Sequence, residues 1–181
     1  MDDMIESMDR IPIVGVMGSG RDKLVDDRPQ RLGRILAGFR VHLLTGGGRG
    51  AMTAVSEAFA TAPGREGMVI GVLPASSPTS GATAKGYPNE WVEIAIRTHL
   101  HKKGKYGADA LSRNHINVLS SKVVVALAGG AGTLTEVELA VTYGVYVIAF
   151  LGSRDDLPGL PRVVPVVSED EEVQALLNRA L

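Results

Sequence analysis

Apolar residues in this chain gather in short β-branched runs, separated by longer stretches with a helical beat. Residues 11–17, 41–44, 68–73 and 122–128 are runs of Val, Ile, Leu and Met bounded by Gly or Pro, the signature of strands. Residues 91–96, 145–151 and 162–167 add three weaker or later ones. Between them, residues 27–40 place Leu32, Ile35, Leu36 and Phe39 three and four apart, and residues 51–62 do the same with Met52, Val55, Ala58 and Phe59. Helices are also predicted over residues 108–119, 133–143 and 169–181. Strands that are apolar throughout, alternating with amphipathic helices, indicate a parallel sheet covered on both faces. The expected fold is therefore α/β, a single doubly wound parallel sheet.

Length and composition narrow the picture. At 181 residues the chain has the size of one domain, expected over residues 11–181 behind a flexible lead-in at residues 1–10. That lead-in is acidic and polar, unlike a secretory signal, and the longest apolar runs fall far short of the roughly 20 residues of a membrane span. A cytoplasmic protein without a membrane partner is the expectation. With no Cys, thiol chemistry and disulfide or Cys-metal frameworks are excluded. The four His (42, 99, 101 and 115) lack the spacing of a zinc helix, so no metal is expected. Nineteen Lys and Arg against 20 Asp and Glu leave a net charge of −1, too little to draw nucleic acid, and 4% aromatics disfavour a reader of single strands. Any anionic ligand must be held by local geometry.

Glycine supplies that geometry. Three clusters each follow a predicted strand: Gly18, Ser19 and Gly20; Gly46, Gly47, Gly48, Arg49 and Gly50; and Gly129, Gly130 and Gly132. In a parallel sheet all three open at the carboxyl edge, where ligands of such folds bind. Glycine permits close backbone approach, and the free N–H groups of a first helical turn face an anion. A tight strand-to-helix turn without a ligand explains any one cluster equally well. The spacing matches neither the dinucleotide fingerprint nor the P-loop, which disfavours a dinucleotide oxidoreductase.

Two side chains stand beside these clusters. Thr133 and Glu136 fit a capping box, a complete structural account of the carboxylate. The same carboxylate at an anion site can act as a general base or steady positive charge on a sugar ring. Arg113 begins a segment leading into the strand that ends at Gly129, so it has the reach to clamp a phosphate, although a solvated arginine is the ordinary alternative. Asn114 and Asn117 are hydrogen-bonding candidates that local capping explains as well. The basic run at residues 99–105 reads as a solvated loop or a ligand rim. Residues 75–89, rich in Pro, Ser, Thr and Gly, are expected to wall the pocket together with a partner subunit.

Thr45-Gly-Gly-Gly-Arg-Gly-Ala-Met52 resembles the GGGxxGxM element of the LOG (lonely-guy) family, and Gly129-Gly-Ala-Gly-Thr-Leu-Thr-Glu136 resembles its PGGxGTxxE element. The family includes nucleoside 5′-monophosphate phosphoribohydrolases and proteins once mislabelled lysine decarboxylases. No lysine sits where a Schiff base with pyridoxal phosphate is suggested. The segment Arg113-Asn-His-Ile-Asn-Val-Leu-Ser-Ser121 is more similar to the neighbouring branch of molybdenum-cofactor carrier proteins. The resemblance implies a Rossmann-like fold and a homodimer or dimer-based assembly. It implies catalytic roles for Arg113 and Glu136, and phosphate-binding roles for Gly47, Gly48, Gly130, Gly132 and Thr133, with Met52 in the first element. Two positions depart from the hydrolases: Ala128 replaces their proline, and Asn114 the lysine after their arginine. The leading expectation is hydrolysis of the N-glycosidic bond of a nucleoside 5′-monophosphate, with no cofactor required. The alternative is a non-catalytic carrier that holds molybdenum cofactor, a phosphorylated pterin, as bound ligand.

Overall fold

A computed structural model describes residues 10–181. The lead-in expected at residues 1–10 falls, up to residue 9, outside the described residues. Seven parallel strands form one sheet: β1 (Ile13–Met17), β2 (His42–Thr45), β3 (Val69–Leu73), β4 (Ile94–Arg97), β5 (Val123–Ala126), β6 (Tyr146–Phe150) and β7 (Val166–Val167). Their order across the sheet is β4-β3-β2-β1-β5-β6-β7, so the winding reverses between β1 and β5. Val14 pairs with Val123 and Met17 with Ala126 at that central seam.

Alternate residues of each strand face opposite layers. Val14, Val16, Leu43, Val123, Val125, Ile148 and Phe150 pack under α1 (Arg28–Ala37), α2 (Ala51–Ala60) and α5 (Asp170–Ala180), which contribute Leu32, Leu36, Val55, Phe59, Val173 and Leu177. On the other face, Met17, Val124, Ala126, Val147 and Ala149 meet Val118 of α3 (Asn114–Leu119) and Val137 and Ala140 of α4 (Ala131–Thr142). Helices therefore cover both faces, the doubly wound Rossmann-like α/β fold. Gly33 lets α1 and α2 close on each other: a Cβ there would lie 2.5 Å from the Val55 carbonyl oxygen and 2.7 Å from the Ala58 Cβ.

Four elements differ from the sequence pattern; the simplest case is the last strand, expected over residues 162–167 and confined to Val166–Val167. The helix expected from residue 108 begins only at Asn114, because an Asp109 turn and a bridge between Lys102 and Ser112 occupy the preceding stretch; Leu111 N donates to Asp109 Oδ1 at 2.8 Å. The strand expected at residues 91–96 is shifted to Ile94–Arg97, and all four of its residues are exposed. It follows β3 through an irregular connection instead of a helix and forms the edge of the sheet. Finally, α4 starts two residues earlier than expected, with Gly130 as its N-cap. Thr133 is then the third residue of the helix and Glu136 the sixth, so the expected capping box does not form. Among the described residues, no helix is long and apolar enough to cross a membrane.

Candidate functional site

Reversal of the winding leaves a crevice at the carboxyl ends of β1 and β5, the position where open α/β sheets bind ligands. A cleft of about 370 Å³ lies there, within the ordinary range for small-molecule sites. Its floor is the turn after β1. Leu127 N donates to the Met17 carbonyl (2.8 Å) and Ser19 N to the Ala128 carbonyl (3.1 Å), which ties this turn to the end of β5. The Ser19 carbonyl in turn accepts from Ala51 N at 2.9 Å, the first residue of α2. Gly18, Ser19, Gly20 and Arg21 thus all line the cleft.

The second cluster behaves differently. Gly46 reaches the cleft wall, and a Cβ on it would lie 2.9 Å from the guanidinium carbon of Arg113, so glycine is what lets that side chain lie flat against the backbone. Met52 also lines the cleft. Gly47, Gly48, Arg49 and Gly50 do not. Gly50 has a φ of +64° and a Cβ there would sit 2.5 Å from the Ser19 carbonyl, so it serves the chain path into α2. Arg49 turns outward to Asp22, at 3.5 Å and with both side chains largely exposed. Because Ser19 already occupies one donor at the start of α2, this helix end is less open to an anion than the sequence pattern suggests.

The third cluster supplies the open helix end. No side chain caps α4, so the N–H groups of its first turn are free of intrahelical partners. Gly130, Gly132 and Thr133 line the cleft, whereas Gly129 lies under Thr133 and faces a neighbouring depression. A Cβ at Gly130 would meet nothing within 4 Å, and one at Gly132 only the Gly104 backbone at 3.4 Å. Packing does not require glycine at either position.

Arg113 stands at the N-cap of α3, 6% exposed, and Glu136 projects from the second turn of α4, 8% exposed. Asn117 Nδ2 donates to Glu136 Oε1 at 2.8 Å, and Arg113 Nη1 lies 3.8 Å from the same oxygen. Arg113 Nη1 also donates to Asn114 Oδ1 at 3.2 Å, while its Nε has no hydrogen-bond partner. Burial pushes the Glu136 carboxyl above the ordinary carboxylate value of 4.5, against the opposing pull of Arg113 and the Asn117 amide. Burial therefore makes this carboxyl easier to protonate than a solvated one, while Arg113 and Asn117 favour its charged form. Asn114 lines the cleft and lies 3.5 Å from Thr135 Oγ1.

Several lining residues carried little signal in the sequence. Lys103 and Gly104 come from the basic run, and Tyr87 from the Pro- and Gly-rich stretch. Asn117 lies behind the cleft as the partner of Glu136. The places of Lys103, Gly104 and Tyr87 depend on where irregular loops settle, which no periodicity encodes, whereas Asn117, a candidate from its sequence context, is set by α3. His115 is a structural residue: Nδ1 is 2.7 Å from the Tyr143 hydroxyl and Nε2 faces the Ala108 and Asp109 carbonyls. His42 Nδ1 accepts from Met68 N at 3.0 Å, so it too is satisfied within the fold.

Fold and cleft define a doubly wound α/β protein whose sheet edge carries backbone donors and a buried guanidinium around a cleft of small-molecule size. The chain belongs to the SLOG cluster4 family, whose profile matches residues 11–176, and so to the superfamily of LOG and molybdenum-cofactor carrier proteins. It is similar to the structure of the molybdenum cofactor binding protein of Rippkaea orientalis, at 34% identity and a TM-score of 0.73 over 94% of this chain and 97% of that one. It is also similar to the molybdenum cofactor carrier protein of Chlamydomonas reinhardtii, at 28% identity and a TM-score of 0.69 over 94% and 98% of the two chains. An uncharacterised protein of Archaeoglobus fulgidus is 29% identical over 132 residues, 72% of this chain and 74% of its own length.

Proposed function

We propose that this protein binds molybdenum cofactor as cargo, without turning it over. The near full-length likeness to a molybdenum cofactor binding protein, at 34% identity, carries this reading above hydrolysis. The cleft gives it a physical account. The phosphate arm of the pterin would sit at the uncapped start of α4, facing the Ser19–Gly20 turn, with Arg113 as counter-charge. Charge-assisted hydrogen bonds of this kind are roughly twice as strong as neutral ones, which suits a protein with a net charge of only −1. Glu136, held by Asn117 and 3.8 Å from the guanidinium, would orient Arg113. The test is to incubate the purified protein with cofactor released from a molybdenum enzyme and separate bound from free by gel filtration. Retention with slowed oxidation is expected, and Arg113→Ala is expected to lose it. Cofactor that elutes free and decays at the buffer rate overturns the proposal.

A second reading keeps one observation in its favour: a buried carboxyl of raised pKa beside an arginine is also what a general acid or base needs. It places Glu136 and Arg113 as catalytic residues of nucleoside monophosphate cleavage, as the LOG resemblance implies. Release of free base from AMP that disappears in Glu136→Gln would establish it in place of the carrier reading. The same proposal takes residues 11–181 as one domain, assembled as a homodimer in the cytoplasm. Sedimentation and cell fractionation test those two points.

A further inference from the structure

We infer that Tyr87 is the platform on which the planar heterocycle of the ligand stacks, and that it sets the preference for ring-bearing over ringless phosphates. Its ring lines the cleft that holds Arg113 and Glu136, and the two depressions that flank the cleft on the outer side. Tyr87 therefore stands between the cleft and these two depressions. It is half-buried, with one edge of the ring seated on the glycine turn at residue 48. A Cβ on Gly48 would lie 2.8 Å from both Tyr87 Cε1 and Met52 Cε, so glycine at 48 is what lets the aromatic ring settle so close to the backbone.

The loop that carries Tyr87 is anchored where the ring needs it. Two residues on, Asn89 N donates to the Gly47 carbonyl and Asn89 Nδ2 to the Gly48 carbonyl, both at 2.8 Å. Tyr87 N donates to the Ala84 carbonyl at 3.3 Å. These bonds fix the ring against the second glycine cluster, which explains why residues 47 and 48 matter to the site without lining it. Lys103 Nζ stands 5.8 Å from the ring centroid, and Arg49 and Lys85 border the depression on the outer side. A ring so flanked by cations suits a flat, electron-rich heterocycle bearing a negative arm.

This inference rests on the carrier reading and narrows it to a planar bicyclic heteroaromatic, pterin or purine. The experiment titrates wild type, Tyr87→Leu and Tyr87→Phe with three probes: neopterin monophosphate, AMP and ribose 5-phosphate. Leu keeps most of the bulk and removes the π face; Phe keeps the π face and removes the hydroxyl. Tyr87→Leu is expected to weaken at least one ring-bearing probe by about ten- to a hundred-fold. Ribose 5-phosphate is expected to stay within about two-fold, and Tyr87→Phe to match wild type. Which ring-bearing probe responds distinguishes the pterin from the purine. If all three probes weaken together, Tyr87 acts only through the fold; if none changes, no ring rests on it. Either result overturns the inference and leaves the carrier reading standing. Wild type that binds none of the probes and retains no cofactor removes the carrier reading itself, and the platform with it.

Discussion

Gly132 separates what the ligand needs from what the fold needs. It is the second residue of α4 and lines the cleft, yet a Cβ there would touch only the Gly104 backbone at an ordinary 3.4 Å. Gly132→Ala should therefore cause no strain. Replacing a helical glycine by alanine gains roughly 0.5–1 kcal/mol, less in a first turn than mid-helix. For a chain of 181 residues, 1 kcal/mol corresponds to a rise in Tm of about 2–4 °C. The added methyl, however, stands where a phosphate would approach the free N–H groups of α4. Each charge-assisted hydrogen bond it lengthens is worth about 1.5–3 kcal/mol, so affinity should fall about ten-fold or more. Urea denaturation and cofactor retention, measured on one preparation, give both numbers. A variant that is equally or more stable and binds poorly is expected. One that binds like wild type would show that no anion rests on this turn, and one that loses more than about 1 kcal/mol would refute the packing argument.

Gly46→Ala should do the opposite, since its Cβ displaces the buried Arg113 guanidinium from its place beside Glu136; a loss of about 2–4 kcal/mol in urea unfolding is expected, together with loss of ligand. Gly33→Ala should cost about 1–3 kcal/mol by forcing α1 off α2, while affinity, measured on the folded fraction, stays unchanged. Glu136 sets a pH dependence. Its folded pKa lies above 4.5, so between 4.5 and that higher value the native state binds more protons than the unfolded one. Its contribution to stability is complete below 4.5 and is lost as pH rises through the folded pKa. Glu136→Gln should remove that decline, and wild-type and variant stabilities that run parallel across pH would contradict the burial argument.

Strand and helix order, the parallel sheet and the three glycine turns were legible from local pattern alone, because apolar period and chain-breaking residues act over a few neighbours. Arg113 and Glu136 stood out for the same reason, each lying within a compact motif. The start of α4 was misjudged because Thr133 and Glu136 satisfy a capping pattern that a glycine three residues upstream pre-empts. The exposed β4 and the shortened α3 follow from loop paths that hydrophobic period does not record.

What the linear chain determined by itself is thus an α/β sheet whose carboxyl edge carries glycine turns. Tertiary structure decided which of those turns open on the cleft. Gly20, Gly130 and Gly132 line the cleft where a Cβ would meet no close neighbour, while Gly18, Gly46, Gly47, Gly48 and Gly50 make room for Ala51, Arg113, Leu73, Tyr87 and Ser19. The physical reason is that glycine answers two different demands, room for a ligand and room for another part of the chain. Only the positions of atoms distant in sequence tell them apart.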